Sequence, residues 1–295
     1  MMSGQQLEEL LSDETVVRDG ERVLVACSGG PDSVALAHLF ATVAPRRLLT
    51  ISFAYIHHST RHSAWQDEAV VLRIGASLHV DVDVRAIEQT AHDEASLRDA
   101  RYRALCDLAQ QLGATAIATA HHAQDQTESV LLALFRGTGP AGLLGMPTRR
   151  TLDAGIDLVR PLLRADPQSL LAYCHAQGLP YAVDPTNDDR DLRRNAIRAA
   201  LHEVRPYFPG MDEAVARAVM LVENERDATP RADLRRHVRE VLRDEDALHD
   251  VSFERIEAAV RALERGTTGR FELRGGLTLR VDGRTLTIER RSHDS

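Results

Sequence analysis

The run Ser28-Gly29-Gly30-Pro31-Asp32-Ser33 constrains this chain more than any other feature. It directly follows a short apolar run, Arg22 to Cys27, that reads as a buried strand. It directly precedes a helical segment, Val34 to Val43. Two adjacent glycines let the backbone approach an anion closely. A helix N-terminus then offers free N–H groups and a positive dipole end. Ser28 and Ser33 add hydroxyls, and Pro31 is tolerated in a first helical turn, where its missing N–H costs nothing. A glycine-rich turn with Asp32 or Ser33 capping the helix would explain one or two of these residues. The six together read as a phosphate or pyrophosphate site.

Composition narrows which phosphate site this is. All 36 basic residues counted as Lys+Arg are arginine, since the chain of 295 residues contains no lysine. A Walker-type lysine on the phosphates is therefore excluded, and so is a Schiff-base lysine. The formal charge is −8, from 44 acids against 36 bases, which argues against a coat of positive potential. Nucleic-acid binding depends instead on local patches. Arginines cluster at Arg98–Arg101–Arg103, at Arg136 with Arg149–Arg150, and at Arg190–Arg193–Arg194–Arg198. Cys27, Cys106 and Cys174 are too few and too scattered for a disulfide framework or a cysteine zinc site. No apolar run approaches the roughly 20 residues of a membrane span, and the N-terminus lacks the pattern of a signal peptide. The expectation is a cytoplasmic protein with no membrane partner.

In the first half, strand and helix signals alternate. Strands are expected at Arg22–Cys27, Leu48–Ile56, Val80–Ile87 and Ala114–Ala120, with helices at Ala64–Leu78, Glu94–Leu112 and Gln124–Phe135. Such alternation predicts an α/β fold with a doubly wound, mostly parallel sheet. After Pro147 the alternation is expected to stop. Helical segments follow at Asp166–Gln177, Asp191–Val204, Met211–Arg226, Asp233–Arg243 and Phe253–Arg265. Asp282-Gly283 within the alternating tail Arg270–Arg290 predicts a β-hairpin. The expected division is a catalytic domain over 1–205 and a smaller, mainly helical domain over 206–295.

A second constellation follows the fourth strand, in Ala118-Thr-Ala-His121-His122-Ala-Gln124-Asp125-Gln-Thr-Glu128-Ser129. Asp125 and Glu128 are three apart, on one face of a helix. Paired carboxylates beside a triphosphate suit Mg²⁺; acids near a helix N-terminus are also simply favourable there. His121 and His122 have no third ligand at metal spacing to suggest zinc. Gly137-Thr-Gly139-Pro-Ala-Gly142 fits a dinucleotide fingerprint, but it follows a helix and carries Pro140 where a helix should begin, so that reading fails.

Ser-Gly-Gly-x-Asp-Ser after a first strand resembles the pyrophosphate loop of the N-type ATP pyrophosphatases. The run Ala120 to Pro147 resembles more closely the tRNA(Ile)-lysidine synthetases, as do four further motifs in order. These are His57-His58; Glu94-x-x-x-Arg98-x-x-Arg101-Tyr102; Arg160-Pro161-Leu162-Leu163; and Asp184-Pro-Thr-Asn187 leading to Arg194-Asn195-x-Ile197-Arg198. Together they cover roughly residues 21 to 205. The chain departs from the family at Gln124, where many members have the first Asp of a pair, at Leu97, and at Ser59-Thr60. It is also short, and the extra C-terminal domain of longer members is not expected.

The resemblance implies ligation of lysine to C2 of the wobble cytidine of an isoleucine tRNA with a CAU anticodon. ATP would first adenylate the C2 oxygen, and AMP and pyrophosphate would be released. It implies ATP and Mg²⁺ as cofactors, and isoleucine tRNA and free lysine as partners, with a homodimer left open. It places ATP on Ser28, Gly29, Gly30, Pro31, Asp32 and Ser33, and catalysis on Asp32 and Asp125. The metal would lie on Asp32, Asp125 and Glu128. Lysine or tRNA would be bound by Arg98, Arg101, Arg136, Asn187, Arg194, Asn195 and Arg198. Two alternatives stay open: an amide-forming synthetase acting on a small carboxylic acid, and a non-enzymatic RNA-binding protein on the same scaffold.

Overall fold

The structure, a computed structural model, describes residues 1–58, 64–87, 94–138, 143–153, 155–182, 192–226, 230–244, 251, 253–273, 277–283 and 285–290. Asn187, Arg190, the Ser59-Thr60 departure and the Gly139–Gly142 stretch lie outside the described residues.

The first strand, β1 (Arg22–Ala26), lies inside a six-stranded sheet because its side chains have apolar partners on both faces. Val23 and Val25 belong to one buried cluster, and Leu24 and Ala26 to the other. On one side β1 pairs in parallel with β2 (Thr50–His58), and β2 with β3 (Val82–Ile87). On the other side it pairs in parallel with β4 (Ala116–Ala118). The order β3-β2-β1-β4 therefore reverses between β1 and β4, where ligands collect in open α/β sheets.

Helices cover both faces. α1 (Gly4–Leu11), α2 (Pro31–Arg47), α3 (Ala64–Leu78) and α6 (Pro167–Ala176) contribute to the first cluster, through Leu7, Phe40, Ile74 and Tyr173 among others. α4 (Glu94–Leu112) covers the second face with Leu105, Leu108 and Ala109. α5 (Ala123–Phe135) follows β4, and α7 (Leu192–Val204) packs on it.

The doubly wound, mostly parallel sheet is as expected, but it extends further along the chain. β5 (Arg149–Asp153) and β6 (Ile156–Val159) lie beyond Pro147, where alternation was expected to stop. β6 adds in parallel to β4, and β5 closes that edge in antiparallel fashion. β6 is only 4 residues long and β5 is polar, so neither carries the periodicity that announces a strand. Helix α1 also went unannounced in the polar N-terminal stretch, although Leu7 and Leu11 are fully buried.

The chain divides into two compact units, Met1–Val219 and Met220–Ser295, with the division inside helix α8 (Met211–Arg226). The second unit has its own core, in which α9 (Pro230–Asp244) and α10 (Phe253–Arg265) place Val238, Leu242, Ile256 and Val260 against a three-stranded sheet. That antiparallel sheet runs β7 (Gly269–Glu272), β8 (Leu277–Asp282), β9 (Thr285–Arg290). The expected hairpin is its second half, and β7 is the additional strand.

Candidate active site

The loop after β1 is built for close backbone approach. Gly29 has φ +88°, and a Cβ there would lie 2.9 Å from the carbonyl oxygen of Asp67 in the first turn of α3. Any side chain at Gly29 would thus be both strained and blocked. Gly30 is the N-cap of α2, and no side chain caps it. Pro31 takes the first helical position. Ser33 ties the loop to itself: its Oγ accepts from the Ser28 N–H at 3.1 Å and donates to the Gly30 carbonyl at 2.9 Å. Neither Asp32 nor Ser33 acts as the helix cap, which leaves the N-terminus of α2 for an anion. Cys27 packs beneath, its Sγ 3.7 Å from the Ser33 carbonyl oxygen, and burial pushes its thiol up. It is a small buried residue under the loop, not a reactive thiolate.

Across the sheet's switch point, β4 leads through Thr119, Ala120 and His121 to His122, the N-cap of α5. Asp125 Oδ2 accepts the His122 backbone N–H at 3.0 Å. The His122 ring lies between two carboxylates, with Nε2 3.6 Å from Asp32 Oδ2 and Nδ1 3.4 Å from Asp125 Oδ2. The second contact is near enough for charge attraction yet not aligned as a hydrogen bond, so the buried Nδ1 has no hydrogen-bond partner. Burial raises the Asp32 carboxyl, His122 opposes that, and Asp125 adds to it as a like charge. Burial also pushes Asp125 up, but His122, His121, the His122 N–H and Arg194 together hold it below the ordinary carboxylate value. Burial drives His121 down, Asp125 opposes that, and Arg160, Arg101 and Arg98 add to it. The Nδ1 of His121 lies 2.9 Å from Thr119 Oγ1.

Glu128 occupies a different environment from Asp125 on the same helix. It is 2% exposed, and both its oxygens are engaged by α7. Arg194 Nε donates to Oε2 at 3.0 Å, while Arg198 donates to Oε1 at 2.9 Å and Oε2 at 3.1 Å. Both of its oxygens therefore face guanidinium groups. Asn195 lies half-buried on α7.

On α4, the exposed Arg98 sits 5.6 Å over the Tyr102 ring, and Arg101 is half-buried. Arg160, directly after β6, is 1% exposed. Arg136 stands exposed at the C-cap of α5. Gln126, 3% exposed, clamps the segment beyond it: Nε2 donates to the Met146 carbonyl at 2.9 Å, and Oε1 accepts the Met146 N–H at 2.7 Å. Gly145, at φ +55°, makes room for that amide, since a Cβ there would meet Oε1 at 2.7 Å. Gln126 is not singled out by the sequence, while His122 appears there only as a rejected zinc ligand and Arg160 only within a motif of the resemblance. The only signal available for them was their place inside the quoted motifs.

The model of the PP-loop domain family matches residues 2–205, from α1 through the whole sheet to the end of α7. The chain belongs to the PP-loop family. Among curated relatives, the tRNA(Ile)-lysidine synthase of Salinispora arenicola is 42% identical over 219 residues, which is 70% of this chain and 64% of that protein. That of Symbiobacterium thermophilum is 35% identical, covering 73% of this chain and 45% of that one. That of Geobacter sulfurreducens is 36% identical, covering 77% and 50%. The match thus spans less than two thirds of these relatives' own length. Among solved structures, the U34-tRNA thiolase of Methanococcus maripaludis superposes with a TM-score of 0.62 at 13% identity, covering 75% of this chain and 78% of that one. That likeness extends to the fold. Among the described residues, no helix of this PP-loop protein is long and apolar enough to cross a membrane.

Proposed function

We propose that this PP-loop protein makes lysidine. ATP adenylates the C2 oxygen of the wobble cytidine in an isoleucine tRNA with a CAU anticodon, releasing pyrophosphate. The amine of free lysine then attacks C2, and the C2–oxygen bond breaks to release AMP. A carbonyl oxygen is a poor leaving group, and adenylation converts it into a good one.

The observation that carries this reading is the meeting of Asp32, from the PP-loop helix, and Asp125, from the helix after β4, at the single ring of His122. Two oxygen-donor carboxylates brought to one imidazole beside an anion-binding loop suit Mg²⁺, which takes one or two carboxylates and completes its shell with phosphate oxygens and water. Asp32 and Asp125 would hold the ion, which when bound neutralises charge developing on pyrophosphate. The free N–H groups of the Gly29–Ser33 loop bind that pyrophosphate in place as its charge grows. The protein's other task is positioning. Glu128 sets the angle of Arg194 and Arg198, which suits them to a carboxylate or a phosphate. Arg98, Arg101, Arg136, Asn187 and Asn195 remain the candidates for lysine and the anticodon. The lysine amine loses a proton as it attacks, to a carboxylate or to water.

The lysidine synthases among its relatives support the reaction and the tRNA, and a cytoplasmic location suits both. Residues 206–295 would dock the tRNA body. The test is incubation with ATP, Mg²⁺, labelled lysine and a panel of tRNAs. Label in an isoleucine tRNA, dependent on ATP, is expected. Label in no RNA would refute the assignment.

A further inference from the structure

Gln126 is a polar side chain in a place where packing alone would take an apolar one. It is 3% exposed and follows Asp125 in the opening turn of α5. A buried amide is costly unless both of its ends are hydrogen-bonded. Here both ends are bonded to the backbone of one residue: Nε2 donates to the Met146 carbonyl at 2.9 Å, and Oε1 accepts the Met146 N–H at 2.7 Å. An amide paired in this way reads a backbone position and is indifferent to the side chain it carries. Gly145 is fitted to the same amide, with φ +55° and no room for a Cβ, which would lie 2.7 Å from Oε1.

What Gln126 grips is itself anchored. Arg160 donates from Nη1 to the Pro147 carbonyl at 2.8 Å, and from its backbone N–H to the Thr148 carbonyl at 2.7 Å. β5 begins directly after Thr148. The chain that leaves the partner strand β6 reaches α5 as well, where the Ala123 N–H donates to the Ala165 carbonyl at 2.9 Å. The opening turn of α5 is thus held at Ala123 and at Gln126, from the two ends of the β5–β6 hairpin. One hold would let the turn swivel; two fix its rotation. The Asp125 carboxylate is bonded inside that turn, to the His122 N–H at 3.0 Å, so it is carried wherever the turn goes. Successive side chains leave a helix about 100° apart, so a grip on Gln126 sets the direction of Asp125.

We propose that Gln126 is a positioning residue: by clamping Met146 it fixes the rotation of the α5 turn that brings Asp125 and the His122 ring to Asp32. Its activity readout rests on the lysidine reading above; its positional readout does not.

The test uses the full chain with Gln126→Met, which keeps the length and loses both bonds, and with Gly145→Ala, which leaves Gln126 in place and displaces its amide. The positional readout is hydrogen exchange at two backbone amides. One is the His122 N–H, which the Asp125 carboxylate protects, followed with ¹⁵N-histidine and assigned by its loss in His122→Gln. The other is the Met146 N–H, followed with ¹⁵N-methionine and assigned by its loss in Met146→Leu. Both amides should exchange faster in both variants. For lysine incorporation, kcat per folded molecule should fall roughly tenfold or more, while KM for ATP stays within about twofold, because the PP-loop itself is untouched. Unchanged protection at His122, whether or not Met146 opens, would mean a clamp that only ties down a loop and would overturn the proposal. Full kcat in Gln126→Met would do the same. Should Gln126→Met not fold, Gly145→Ala decides by the same readouts. If the wild-type chain incorporates no lysine, the lysidine reading falls, and exchange at His122 alone decides the role of Gln126.

Discussion

Asp32 and Asp125 reach the site from opposite sides of the sheet's switch point and meet at one imidazole, 3.6 Å and 3.4 Å from the nitrogens of His122. Their environments push them in opposite directions. Burial raises Asp32, whereas His122, His121 and a backbone N–H outweigh burial at Asp125 and lower it.

Asp32→Asn should therefore abolish ATP-dependent turnover without loss of stability. The sign follows from linkage: a carboxyl raised in the folded state costs stability as pH rises through its folded value, and Asn removes that cost. A thermal midpoint at pH 7 equal to or above wild type, with activity gone, is the expected pair of results. A lowered midpoint would mean that Asp32 supports the fold.

Asp125→Asn should lose turnover by orders of magnitude and also some stability. A lowered carboxyl contributes stability above its unfolded value of about 4, lost as pH falls through the folded value. Gln124→Asp should matter much less. Equal losses in the two variants would place the functional carboxylate at the neighbouring position.

Glu128→Gln should loosen α7. Its removal leaves Arg194 and Arg198 without their buried counter-charge. The cost should be about 2 kcal/mol, below that of breaking a fully buried pair because the Arg198 side chain is 38% exposed. Urea unfolding measures it as a lowered midpoint at unchanged slope.

Much of this arrangement was legible in the sequence, because a strand–loop–helix junction is built from contiguous residues. Ser28 to Ser33 had to form a loop between strand and helix to be useful, and its glycines, Pro31 and adjoining apolar run all say so. Asp125 and Glu128 were also visible as a pair, but spacing cannot distinguish a carboxylate facing a loop from one facing another helix. That distinction depends on α7, 66 residues from Glu128 in the contact with Arg194. The meeting of Asp32 with His122 is likewise a tertiary fact. β5 and β6 were missed because β5 is polar and β6 is only 4 residues long, too short to show a period.

Away from the site, Arg149 joins the first strand's approach to the sheet edge. It pairs with Glu21 at 2.6 Å and Asp157 at 2.7 Å. Burial pushes Asp157 up, but bonds from Arg149 and Thr151 more than offset that and lower it. Its stabilisation is present above about pH 4 and lost as pH falls further. Asp157→Asn should flatten the acid limb of the stability curve, measured as thermal midpoint against pH between about 3 and 6. An unchanged acid limb would show that the pair contributes nothing.

RNA binding by a chain of net charge −8 must rely on segregated arginines. Affinity for isoleucine tRNA should fall roughly tenfold or more between about 50 and 200 mM salt, through counterion release. Filter binding across that range measures the slope, and a flat response would remove phosphate contact from the account.

The most direct measurement is made on the wild-type chain. With ATP, Mg²⁺, labelled lysine and an isoleucine tRNA carrying CAU, label should enter the RNA as AMP and pyrophosphate are released one for one. The label should vanish when the wobble cytidine is replaced. Pyrophosphate released with label in a small carboxylic acid instead, or no ATP-dependent label at all, would contradict the account.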